Sequence, residues 1–116
     1  MKKFDNSWID EFPGAVTVCD KIGIILAMNQ KAAETFQDDG GLSLIGKNAL
    51  DCHPEPSRSK FVEMMSNHQV NVYTIEKRDK KKLIYQAPWF HNGVFGGIVE
   101  LSLEIPSGMP HFVRKG

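Results

Sequence analysis

Several absences narrow this sequence before any motif is considered. It has no excess charge of either sign, since fourteen Lys and Arg offset fourteen Asp and Glu. No net field therefore favours nucleic acid or an anionic membrane. Its longest apolar runs are a handful of residues, far short of the ~20 that a membrane-spanning helix needs. The start, Met1-Lys2-Lys3-Phe4-Asp5, carries no apolar stretch of the kind a secretory signal uses, so the expected compartment is the cytoplasm. Two cysteines, Cys19 and Cys52, are too few for a disulfide scaffold and are expected to stay reduced. No repeat, low-complexity block or Pro/Gly/Ser-rich linker divides the chain. What remains is 116 residues at 41% apolar and 24% charged, the size and balance of one globular domain.

Hydrophobic spacing then orders the chain. Phe4, Trp8, Ile9 and Phe12 recur at helical spacing, with Asp5 or Asn6 able to cap, which predicts an amphipathic helix over residues 1–13 closed by Pro13-Gly14. Residues 15–19 and 22–28 read as two strands joined at Asp20-Lys21. Asn29 is placed to cap a short helix carrying Ala32, Ala33 and Phe36 on one face. After an irregular segment from Leu42 to Cys52, His53-Pro54-Glu55-Pro56 reads as a helix start, because proline is tolerated in the first turn. That helix aligns Phe61, Met64, Met65 and His68.

Three long strands follow, near 70–77, 82–91 and 94–105, with turns at Arg78-Asp79-Lys80 and at Asn92-Gly93. Asn-Gly is the strongest short hairpin signal, because both residues tolerate positive φ. In the last strand Phe95, Val99, Leu101 and Leu103 alternate with Ile98, Glu100, Ser102 and Glu104, so one face belongs to the core and the other to water or a partner. Pro88 points to an edge or a bulge. Residues 106–116 have no periodicity and are expected to form a flexible tail. Strands near both ends with helices between them predict an α+β fold, a five-stranded antiparallel sheet with its short helices on one face. Trp8 and Phe12 are too large for a short helix to bury alone, which predicts packing on the other sheet face, within the chain or across a homodimer.

At this point the sequence resembles a PAS domain, with the likeness running from about residue 8 to 105 and the PAS-like domain itself expected over 14–105. The resemblance rests on Phe12-Pro13-Gly14-Ala15-Val16 leading into Asp20-Lys21-Ile22-Gly23-Ile24-Ile25. It continues through Met28-Asn29-Gln30-Lys31-Ala32-Ala33-Glu34-Thr35-Phe36, Leu44-Ile45-Gly46-Lys47-Asn48 and the strand that starts Gly93-Val94-Phe95-Gly96-Gly97-Ile98. Residues 46–57, with Cys52-His53-Pro54, look like a stretch of a PAS subgroup found beside hemerythrin-like modules, although no such module fits in this chain. The resemblance implies a sensory or signal-relay module, often dimeric, with a small-molecule cavity between sheet and helices, and it implies no catalysis. Any output would pass through a signalling protein partner, or the chain is a piece of a longer protein.

The candidate binding residues are Cys52, His53, Met64, His68, Tyr85 and Trp89. Cys52 and His53 carry ordinary ligands for zinc or haem iron, yet Cys19, His68, His91 and His111 are scattered without ligand spacing, so no metal site is assigned. The plainer reading is that Cys52 fills core space and His53 caps the following helix. His68, on the apolar stripe, is the better proximal ligand should a haem bind, with His53 the alternative. A cysteine-adduct flavin is disfavoured, because Gly46-Lys47-Asn48 is followed by Ala49 where the resemblance would place the reactive thiol. Met64 offers a pliable pocket wall. Tyr85 and Trp89 share a strand face and would line the cavity if that face meets the helices. No nucleophile–base or paired-carboxylate arrangement suggests an enzyme. Three rivals to ligand sensing stay open: a ligand-free homodimerisation module, a haem or metal redox sensor, and a small enzyme.

Overall fold

The structure is a computed structural model that describes residues 5–116. Five strands form one antiparallel sheet: β1 (Ala15–Asp20), β2 (Ile25–Met28), β3 (Asn71–Lys77), β4 (Lys80–His91) and β5 (Val94–Ile105), in the order β2-β1-β5-β4-β3. Two α-helices, α1 (Gln30–Thr35) and α2 (Ser57–Asn67), lie between β2 and β3 together with three short 3-10 turns. The expected α+β architecture is present.

Both hairpin turns form where the turn residues demand them. Arg78 and Asp79 take positive φ (54° and 63°), and so do Asn92 and Gly93 (51° and 79°), the twist-matched turn for a two-residue loop. Pro88 lies beyond the end of the β3–β4 ladder, which stops at Asn71–Gln86, so its missing N–H costs no bond on that side. A bulge follows between Trp89 and Phe90.

The opening segment departs from expectation. Among the described residues it forms one 3-10 turn, Ser7–Ile9, not an amphipathic helix, and Phe4 lies outside them. The reason is local. In an α-helix the Ile9 carbonyl would accept from residue 13, but that residue is Pro13 and has no N–H. The carbonyl instead accepts from Phe12 N–H at 3.3 Å, a 3-10 bond, and from Asn29 Nδ2 at 3.0 Å. Asn29, buried, also donates to the Gly14 carbonyl and accepts from Val16 N–H and Ala32 N–H, the latter capping α1 as expected. One side chain thus ties the N-terminal turn, β1 and α1 together. Residues 106–116 form neither helix nor strand.

The core gathers Cys19, Ile25 and Ile98 from the sheet with Leu44, Ala49, Phe61 and Met64 from the helical segment. Strand alternation and register therefore put Ala15, Thr17, Cys19, Ile84, Gln86, Ile98, Glu100 and Ser102 on the face toward the helices. Val16, Val18, Leu83, Tyr85, Val99, Leu101 and Leu103 take the opposite, outer face.

Candidate functional site

A cavity of about 120 Å³ lies between the sheet and the helical segment. Cys19, Ile25 and Ile98 from the sheet and Leu44, Ala49 and Phe61 from the helical side form its apolar walls, with Met28 and Phe36 beside them. Thr17, Asp39, Cys52, His53 and Glu100 supply its polar atoms. Phe36, Asp39, His53 and Glu100 also line a more polar groove of about 220 Å³ that continues over Tyr73, Ile75 and Ile84. Those four residues mark the mouth of the cavity.

Each polar group at the mouth has a traceable anchor. Glu100 faces Thr17 on one side and Gln86 on the other, and its Oε2 accepts from Gln86 Nε2 at 2.6 Å. Gln86, itself buried, accepts from Asn71 Nδ2 at 3.1 Å, so a polar ladder crosses β3, β4 and β5 on the covered face. A buried amide satisfied at both ends holds the carboxylate in place. His53 follows the 3-10 turn Ala49–Cys52, and its Nδ1 lies 2.7 Å from the Ala49 carbonyl while its ring stacks on Phe61 at 5.2 Å. A carbonyl can only accept, so Nδ1 carries a proton, and of the two neutral tautomers this bond selects the one whose Nε2 is an acceptor. Asp39 ends the 3-10 turn Gln37–Asp39.

Of the candidates from sequence, Cys52 and His53 reach this cavity and the other four do not. Cys52 is exposed rather than filling core space. His53 bonds back to the preceding turn rather than capping α2, because Pro54, Glu55 and Pro56 separate it from the first helical residue, Ser57. Met64 is fully buried in the core beneath α2. His68 terminates α2 in a left-handed conformation (φ 54°), donates its N–H to the Met64 carbonyl, and stacks on Phe95 at 4.0 Å, away from the cavity. Tyr85 lies on the outer face, because the two-residue period gives the covered face to Ile84 and Gln86. Trp89 shares the parity of Tyr85; its ring lies over Gly96 and its Nε1 donates to the Cys19 carbonyl at 2.9 Å. It clips β4 to β1 across β5.

Sequence reasoning missed Glu100, Gln86, Asp39 and Asn71. The signal for Asn71, Gln86 and Glu100 was a polar residue on each of three strands, which becomes a ladder only once the register is known; Asp39, on a 3-10 turn, had none.

Burial of Cys19 and partial desolvation of the more exposed Cys52 push both thiols above the ordinary range. Desolvation acts first on each; Asp20 and Glu100 reinforce it at Cys19, and Asp39 and Asp51 do so at Cys52. Both therefore stay protonated at neutral pH, which suits neither a nucleophile nor a metal thiolate. Among the described residues no three His, Cys, Asp or Glu side chains cluster as metal ligands. Nor does the cavity fit a haem: an engineered cavity of about 150 Å³ is filled by benzene, and this one is smaller than that.

The geometry can be set beside solved structures. A domain of the Aer2 receptor of Vibrio cholerae, described as a dual PAS-haem oxygen sensor, superimposes with a TM-score of 0.64 at 17% identity, over 80% of this chain and 95% of that one. The PAS domain of Bordetella pertussis BvgS gives 0.62 at 20% identity, over 87% and 83%. That of nitrogen regulation protein NR(II) from Vibrio parahaemolyticus gives 0.56 at 11%, over 85% and 95%.

The fold is that of a PAS domain.

No family model matches this PAS-like chain, and no curated protein matches it either. At these identities the likeness is one of fold alone, so the mouth residues have to be argued from their own geometry. No helix among the described residues is long and apolar enough to cross a membrane.

Proposed function

We propose that this PAS-like chain is a signal-sensing or signal-relay module that holds a small molecule in the cavity and reports it through protein contact. The observation that carries this reading is the cavity itself: apolar walls of core residues opening at an ordered polar mouth. Fold neighbours point the same way, since they include the Aer2 receptor domain and a sensory box sensor histidine kinase from Vibrio cholerae. The module acts as a binder and not as an enzyme, in keeping with two protonated thiols. A cytoplasmic location accords with its composition.

The contact surface is the outer sheet face, and its first partner is a second copy of the chain, with a signalling protein able to take the same place. Val99, Leu101 and Leu103 stand there without complete cover, Tyr85 is exposed, and Phe12 packs beside Leu103 over Gly14. Trp8, 56% exposed, adds to the same need for a partner. Ligand and contact are then linked by differential affinity: a ligand that favours one packing of the covered face shifts the population that presents the outer face. A difference of a few kcal/mol is enough.

Native mass spectrometry of freshly purified protein tests both halves. The expected spectrum is a dimer, with a small adduct lost on gentle activation. A bare monomer at micromolar concentration would overturn the dimer and any tightly held ligand.

A further inference from the structure

We propose that the cavity selects a small ligand with an apolar body and a hydrogen-bond-donating, cationic end: a short alkyl ammonium or a close analogue. This rests on the sensing role proposed above and specifies the chemistry that the cavity accepts.

Three groups at the mouth set the polarity. Glu100 offers a carboxylate oxygen not engaged by Gln86, and Asp39 offers a second carboxylate. Among the described residues neither forms an ion pair; the recorded pairs are Arg78–Asp38 and Lys80–Glu104. The third group is His53, whose Nε2 is an acceptor in the neutral tautomer that the Nδ1–Ala49 carbonyl bond selects. All three are therefore acceptors. No lysine or arginine lines the cavity; Lys77 and Lys82 belong to the outer groove. A carboxylate ligand would meet two carboxylates with no cation in the cavity wall, Lys77 and Lys82 lying farther along the groove, whereas an ammonium would meet two opposite charges and a third polar group.

The depth sets the size. Behind the mouth the walls are aliphatic, aromatic or thiol, and nothing there pairs a second charge. A volume of about 120 Å³ admits a body somewhat smaller than benzene, such as a four-carbon chain. The charged end then stays at the mouth, partly in water, so the ligand never bears the full cost of burying its charge.

An NMR titration of the isotope-labelled 116-residue chain, run above the ordinary imidazole range, tests this with n-butylamine, butyrate, 1-butanol and benzene as probes. The expected result is saturable binding of n-butylamine, with amide shifts at Cys19, Ile98, Asp39 and Glu100, at least about tenfold tighter than butyrate. Glu100→Gln and Asp39→Asn should each move that ratio toward one. Asp39 is exposed, so its variant keeps the test open should Glu100→Gln disturb the fold. If 1-butanol or benzene binds in the cavity but n-butylamine does no better than butyrate, the cationic preference is wrong and the sensing cavity stands. If no probe shifts the cavity amides, both proposals fall.

Discussion

On the face that the helices cover, the sheet presents Thr17, Gln86, Glu100 and Ser102; on the bare face it presents Val16, Val18, Val99, Leu101 and Leu103. An ordinary half-buried sheet would be arranged the other way, with apolar residues inside and polar residues outside. The covered face compensates with aliphatic residues at its β1–β2 end, where Cys19, Ile25 and Ile98 meet Phe61 and Met64, and with a hydrogen-bonded ladder toward β3. The bare face has no such compensation among the described residues. A covered face that keeps satisfied polar groups around a void is arranged for a ligand. An uncovered face that keeps leucines and valines is arranged for contact.

Four measurements break or sharpen that contrast. The largest effect is expected on the covered face: Ile98→Ala, at a site only 2% exposed, should cost about 2–4 kcal/mol in chemical denaturation. A loss below about 1 kcal/mol would mean that the core is not centred there. Next, Gln86→Leu strands the Asn71 amide and the Glu100 carboxylate, and should cost about 1–3 kcal/mol. An unchanged denaturation midpoint would show the ladder to be incidental. On the bare face, Leu101→Ser should change the stability of the monomer by under about 1 kcal/mol while shifting sedimentation equilibrium toward monomer. A large stability loss with no change in mass would make that face ordinary core.

The smallest effect concerns pH. Cys19 has a folded pKa above its unfolded value, so the thiol's contribution is complete below the unfolded pKa and is lost as pH rises toward the folded one. Melting temperature should therefore fall in alkali more for the wild type than for Cys19→Ala, each referred to its own neutral value. Parallel alkaline profiles would dismiss Cys19 as the group responsible.

Much of the fold was legible because it is written locally. Asn92-Gly93 and Arg78-Asp79 announce their turns by residue type, Asn29 announces the start of α1, and two-residue alternation separates the faces of β5. The opening helix was misread because periodicity ignores hydrogen-bond partners: the Ile9 carbonyl is taken by Phe12 N–H and the Asn29 amide, and the Asp10 carbonyl by Gln30 N–H. At the site, Cys52 and His53 were found because a thiol and an imidazole stand out by chemistry. Tyr85 and Trp89 were set against the cavity because alternation separates two faces without saying which one the helices cover.

By itself, the sequence determined the strands, the turns, the antiparallel α+β plan and the absence of a long apolar helix, since each depends on neighbours a few residues apart. The register and the covered face came only from the tertiary structure. Counted from the Asn92-Gly93 turn, an unbroken hairpin would set Gln86 opposite Val99; the bulge between Trp89 and Phe90 moves it opposite Glu100. That one-residue shift depends on the Trp89 ring over Gly96 and its bond to the Cys19 carbonyl. The second of these joins residues seventy positions apart in the chain, a distance over which no local pattern carries information.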